Sequence, residues 1–294
     1  MEDALRMVED GACSVWPLPA DPTCAGIARR IFRGAADEFA LDPMLVDDGV
    51  TMVSELAANT LHAHRAAPEA GPELWLYPRG AGPRRELVCK VFDSYPGWLR
   101  APGPGGACRV PLESVSGRGL AVVHEMSAGR WGYHLTRSRL GHRPVRGKAV
   151  WFAVPAAASA ASAVPPSVLP GNTGLIGNTG LPGNAGEAMR ELEAALTARG
   201  FEEGLVRADD PAADMAVLSV ASGITAWCRA GAAWLRSPAG TGQRWGYADL
   251  IEVAEQTVEA YETLMEDTRA AAAAADDATT RTGALMSIRP TGNM

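Results

Sequence analysis

No window of this sequence approaches the roughly 18 uninterrupted apolar residues of a membrane-spanning helix, so no membrane span is expected. Basic charge is in deficit. Lys and Arg number 27 against 34 Asp and Glu, giving a formal net charge of −7 and a pI near 5.3. Nucleic-acid footprints are normally basic, so no direct nucleic-acid partner is expected. The five cysteines (Cys13, Cys24, Cys89, Cys108 and Cys228) are odd in number and scattered, with no C-x-x-C pair. That pattern argues against a disulfide framework or a zinc site and for thiols in a reducing compartment. The first residues, MEDALRMVED, are acidic and lack the basic and apolar segments of a secretion signal. A cytoplasmic protein is the expectation.

With 294 residues, 47% of them hydrophobic, the chain can bury a sizeable core, and its length fits about two domains. The sharpest change of composition runs from Ala156 to Gly186. It opens as AAASAASAVPPSV and continues PGNTGLIGNTGLPGNAG, with GNTGL occurring twice at a six-residue period. Too few coils are present to stack a β-helix, and Gly, Asn, Pro and Ala with almost no charge make a flexible linker. The expected organisation is a first domain over 1–155, a linker over 156–186, a small α+β interaction domain over 187–268 and a disordered tail over 269–294.

In the first domain CSVWPL reads as a strand, Thr23 to Phe39 as a helix, and a second helix begins near Pro43, a residue suited to a first turn. ELWLYPRG and RELVCKVFD alternate like paired strands. A Gly- and Pro-rich loop (96–116) leads to a short helix from Gly119 to Met126, and RWGYHLT and GKAVWFAVP close the set as strands. The expected class is α+β, with helices on one face of a mixed sheet.

The polar residues of the second helix carry the functional signal. In SELAANTLHAH, Glu55, Asn59 and His62 stand at i, i+4 and i+7 and so share one face, while Met52, Val53 and Leu56 serve the core. An amide oxygen is a hard ligand for Mg2+, and a carboxylate can orient or deprotonate an attacking group. Spacing alone fits a solvated polar stripe better. His62 and His64, two residues apart on a helix, point about 200° apart and cannot chelate one ion. Further on, the apolar strand ELVCKVFD ends in Asp93, and SGRGLAVV places Gly117 and Gly119 before an apolar helix, where backbone N–H groups can approach an anion.

In this order, E-L-x-x-N on a helix, a strand ending in Asp, a loop and GRGL, the segment from Cys13 to Pro155 resembles the GHKL ATPase superfamily. The closest resemblance is to anti-sigma-factor serine/threonine kinases and small bacterial ATP-binding regulators with a histidine-kinase-like ATPase domain. That implies a two-layer Bergerat α/β sandwich binding ATP and Mg2+. By resemblance Glu55 is the catalytic acidic residue, Asn59 the Mg2+ ligand and Asp93 the acceptor for the adenine amino group. Gly117, Arg118 and Gly119 form the second glycine box beside the phosphates, under a lid over residues 99–116. The implied partner is a sigma factor or an anti-anti-sigma-like antagonist, bound and phosphorylated on Ser or Thr, or only sequestered by an inactive copy of the fold. Homodimerisation is left open. Three positions depart from the pattern. The first glycine box is DSYPG, retaining Asp93 and Gly97; the histidine usually four residues after the asparagine is Ala63; and the threonine of the last strand is replaced by Ala149.

The second domain reads as an amphipathic helix ending at Gly200, three short strands (DMAVLSV, ITAWCRA and AAWLRS) and a helix from Tyr247 to Glu266. Glu252, Glu255, Glu259, Glu262 and Glu266 make an acidic stripe on that last helix. It is expected to be a solvated face, or more sharply a docking strip for a basic partner or for arginines of the first domain such as Arg84, Arg85 and Arg100. Trp227, Trp234 and Trp245 are expected in a small core. No G-x-S-x-G, H-E-x-x-H or P-loop occurs in this half.

Overall fold

The structure, a computed structural model, describes residues 8–10, 13–66, 69–95, 118–156, 181–201 and 204–286. Gly97, Gly117, Cys108, Arg100, the expected lid and most of the expected linker lie outside them, as do the side chains of His62, His64 and Arg118. Among the described residues no helix is long and apolar enough to cross a membrane.

In the first half, β1 (Val8–Asp10), β2 (Cys13–Pro17), β3 (Glu73–Arg79), β4 (Glu86–Asp93), β5 (Trp131–Arg137) and β6 (Arg146–Pro155) form one sheet in the order β1-β2-β3-β4-β6-β5. Every pairing is antiparallel, which corrects the expected mixed sheet. Two helices, α1 (Cys24–Glu38) and α2 (Pro43–Ala66), join β2 to β3, so the chain returns to the end it left. A parallel neighbour would need a single crossover helix. Strand alternation sends Leu74, Leu76, Leu87, Cys89, Val91, Val150 and Phe152 into a core with Phe32, Val53 and Leu56 of α1 and α2 and with Val123 of α3 (Arg118–Met126).

The second half holds α4 (Ala185–Ala198), an antiparallel meander of β7 (Val206–Asp210), β8 (Met215–Ala221), β9 (Ile224–Arg229), β10 (Ala232–Ser237) and β11 (Gly240–Gly246), and α5 (Leu250–Met286). The molecule is thus α+β with two antiparallel sheets. Asn184 caps α4, its Oδ1 accepting from Glu187 N at 2.9 Å, and Gly200 follows with φ +78°, the left-handed conformation that ends helices. The edge strands β7 (VRADD) and β11 (GTGQRWG) escape sequence reading because neither alternates apolar and polar residues. Helix α5 continues twenty residues past the expected end at Glu266, through the alanine run at 270–275, where intrinsic helix propensity is highest.

The other face of the first sheet is also covered. Trp75, Tyr77, Val88, Phe92, Ala149 and Ala153 pack with Ile251 of α5, which is why β3 and β4 are buried along nearly their whole length. The acidic stripe of α5 is therefore largely buried rather than solvated, and it is set against arginines of the first half, Arg79, Arg137, Arg139 and Arg146, though not Arg84 or Arg85. Tyr77 Oη donates to Glu252 Oε2 at 2.7 Å, Arg137 Nε and Arg146 Nε hold the two oxygens of Glu262 at 2.6 and 2.7 Å, and Arg146 Nη2 reaches Glu266 at 2.7 Å. Glu255 is fully buried among Lys90 Nζ (3.3 Å), Arg139 Nη2 (2.7 Å) and Arg199 Nη1. Arg199, at the end of α4, also donates to Thr136 Oγ1 and to Arg137 O, both at 2.6 Å, and lies over the Trp75 ring.

Two groups in this seam titrate in opposition. Burial, reinforced by Lys90, pulls His134 down to about 4, so the ring is neutral and Nε2 can accept from Lys90 Nζ at 3.2 Å. Burial, with Glu252 and Glu255 as like charges, pushes Glu259 up to about 7, only partly offset by Lys90. A lowered histidine value adds stability as pH rises from about 4 to 6.5, whereas a raised carboxyl value removes it between about 4.5 and 7. The two effects largely cancel in the native chain. The Glu259→Gln variant should therefore match the parent at pH 4 and exceed it by about 1–3 kcal/mol at pH 8, allowing for the partial exposure of the side chain. Urea unfolding at the two pH values checks this.

Candidate functional site

Helix α2 turns Met52, Val53, Leu56 and Ala57 into the core and leaves Glu55 and Asn59 half-buried on its flank, one turn apart. That flank meets the first turn of α3. A Cβ added at Gly119 would lie 2.7 Å from Glu55 Oε2 and 3.3 Å from Asn59 Nδ2, so glycine here leaves the ends of both side chains their present positions against α3. Gly119 is itself buried, and Leu120 and Val123 anchor α3 in the core behind it. The arrangement sets a carboxylate and an amide against the amino end of a helix, where unpaired N–H groups carry partial positive charge.

Asp93 ends β4. Alternation from Leu87, Cys89 and Val91 places it on the helix-covered face, the same layer as α2 and α3. Its carboxylate is already engaged: Oδ1 accepts from Lys148 Nζ at 2.5 Å and from Tyr95 N at 3.0 Å, and Lys148 Nζ also donates to Tyr95 O at 2.6 Å. Burial pushes the Asp93 carboxyl above its ordinary range and the Lys148 ammonium below its own, each shift offset in part by attraction to the other.

The structure thus brings Glu55, Asn59 and Gly119 into contact, while Asp93 shares their layer and makes its bonds to Lys148 and Tyr95. In the last strand the residue that faces Asp93 is Lys148. Ala149 pairs with Phe92 and points to the opposite face, toward α5, whereas Lys148 pairs with Asp93 and points to the site. Parity decides this, because one residue along a strand reverses the face. Lys148 was not singled out from sequence. Its signal is a lone charge inside the apolar run GKAVWFAVP, as Lys90 is inside ELVCKVFD. Those two lysines mark opposite faces of the sheet, Lys148 at the candidate site and Lys90 at the seam with α5. Among the described residues, Ile251 and Glu255 of α5 pack on the face of the sheet opposite Asp93.

No protein-family model matches this sequence, and no curated protein is significantly similar to it.

Proposed function

We propose that this chain is an ATP-binding regulator of the histidine-kinase-like ATPase type, similar to anti-sigma-factor serine/threonine kinases, with residues 1–155 as a Bergerat sandwich. The observation that carries this reading is the meeting of Glu55 and Asn59 with Gly119 at the start of α3. The donor set at this end suits Mg2+ and phosphate. Asn59 would bind Mg2+ through its amide oxygen, with phosphate and water completing the shell. The first turn of α3, which begins at Arg118 and follows Gly117 in the sequence, would take phosphate oxygens on its free N–H groups. Bound Mg-ATP would supply a transferable phosphoryl group. Glu55 would accept the proton of a protein Ser or Thr hydroxyl, and Asp93, with Gly97 beyond it, would line the base. The partner on this reading is a sigma factor or its antagonist, in the cytoplasm.

A second reading keeps the fold but not the turnover, the protein acting by sequestering its partner. The Lys148–Asp93 ion pair favours it, because Oδ1 of the carboxylate meant to accept a hydrogen bond from the adenine amino group is already taken by Lys148 and Tyr95.

Gly119→Ala tests the carrying observation. The added methyl must displace the far end of a flexible carboxylate, so the fold should be kept while Glu55 is pushed from its position. Affinity for Mg-ATP should fall about tenfold with the melting temperature nearly unchanged, as expected for a small displacement at a positioned group. Unaltered affinity would remove the site from α2 and α3.

A further inference from the structure

The second sheet gives one face to α4 and α5, through Ala216, Leu218, Ile224 and Ala226. Alternation puts Val217, Trp227, Trp234 and Arg244 in register on the opposite face, one from each of β8 to β11. Trp227 and Trp234 are therefore not core residues. They are half-buried and stack on each other, with centroids 6.1 Å apart and planes 11° from parallel. The Arg244 guanidinium lies 5.8 Å over the Trp234 ring. Arg229 and Arg236 are exposed on the same face, each two residues along its strand from the tryptophan pair and on opposite sides of it. Trp245, by contrast, packs against the core as expected.

This face is cationic in a chain whose net charge is −7. Its acidic member, Asp210, is committed locally, with Oδ1 accepting from Ala212 N and Ala213 N. We propose that the face docks an acidic segment of a partner protein. Carboxylates pair with Arg229, Arg236 and Arg244, and apolar side chains lie along the Trp227–Trp234 ridge. Charge complementarity selects this occupant. A second copy of the chain docking through this same face would bring like arginines together, which disfavours that contact. Single-stranded nucleic acid binds by stacking bases on open ring faces, and here each tryptophan gives one face to the other while Arg244 lies over Trp234. The proposal does not rest on the nucleotide reading and holds without ATP.

The test uses the full chain without nucleotide and a fluorescent peptide of about a dozen residues alternating Glu and Leu. A Lys–Leu counterpart and an oligothymidylate of similar length serve as comparisons. The acidic peptide should bind with a Kd on the order of 10–100 μM, in the range of weak specific contacts. Binding should weaken about tenfold or more in the Arg229→Glu/Arg236→Glu variant, and similarly in Trp234→Ala, with the Arg variant melting as the parent does. No saturable binding, equal binding of the lysine peptide, tighter binding of the oligonucleotide, or acidic-peptide binding that survives the Arg changes would each overturn the proposal.

Discussion

Glu255→Ala should lower the stability of the chain by about 3–5 kcal/mol, the cost typical of removing one partner from a buried ionic cluster. The side chain is fully buried and faces Lys90, Arg139 and Arg199, each of them 1–2% exposed. Without it three cations lose the one carboxylate they all face, with only Glu252 and Glu259 beside Lys90 and Glu73 beside Arg199 to offset them, and the loss is more than one missing attraction. Burial alone would raise the Glu255 carboxyl, but Arg199, then Lys90 and Arg139, hold it well below the ordinary carboxylate range. A depressed value means that this stabilisation is present above the unfolded-state pKa of about 4.5 and is lost as pH falls through the folded value. The variant should thus approach the parent in strong acid and diverge from it at neutral pH. Glu255→Gln should lose nearly as much, because shape without charge does not neutralise the lysine and arginines. Thermal unfolding of both variants at pH 7 checks the size, and a loss below 1 kcal/mol would show that the two halves do not lean on this cluster.

Asn59→Ala should weaken Mg2+-dependent ATP binding on the order of 100-fold, about 2.7 kcal/mol, while leaving the melting temperature close to that of the parent. The amide is half-buried on the flank of α2, away from the residues that fill the core, so truncation leaves no large cavity. Competition with a fluorescent ATP analogue, with and without Mg2+, reads the effect. The loss should be confined to the Mg2+-containing titration.

How much of this could be read from the sequence depended on which physical signal each part emits. Helices α1 and α2 and strands β3, β4 and β6 announce themselves by periodicity and by Pro43, so the first half was legible nearly strand by strand. The pairing of Glu55 with Asn59 follows from helical spacing alone, and their meeting with Gly119 was reached only through the order of motifs. Direction along the sheet was not legible, because an antiparallel and a mixed sheet can bury the same alternating residues. Nor was the register that sets Lys148 opposite Asp93. The α5 stripe was legible only in part. Five glutamates on one helical face read as a wet surface or as a strip for first-domain arginines, and the members they meet, Arg79, Lys90, Arg137, Arg139, Arg146 and, from α4, Arg199, lie more than fifty residues away along the chain. Long-range charge matching leaves no local pattern. The stacked Trp227 and Trp234 were misplaced for a related reason, since tryptophan favours half-buried sheet faces as readily as cores.

The central claim is that the layer holding Glu55, Asn59, Asp93 and Gly119 binds ATP with Mg2+. Calorimetric titration of the intact chain with ATP, in the presence and absence of Mg2+, tests it most directly. The account predicts saturable one-to-one binding that requires the metal. Absence of binding at millimolar ATP, or binding of equal strength with Mg2+ removed, would contradict it.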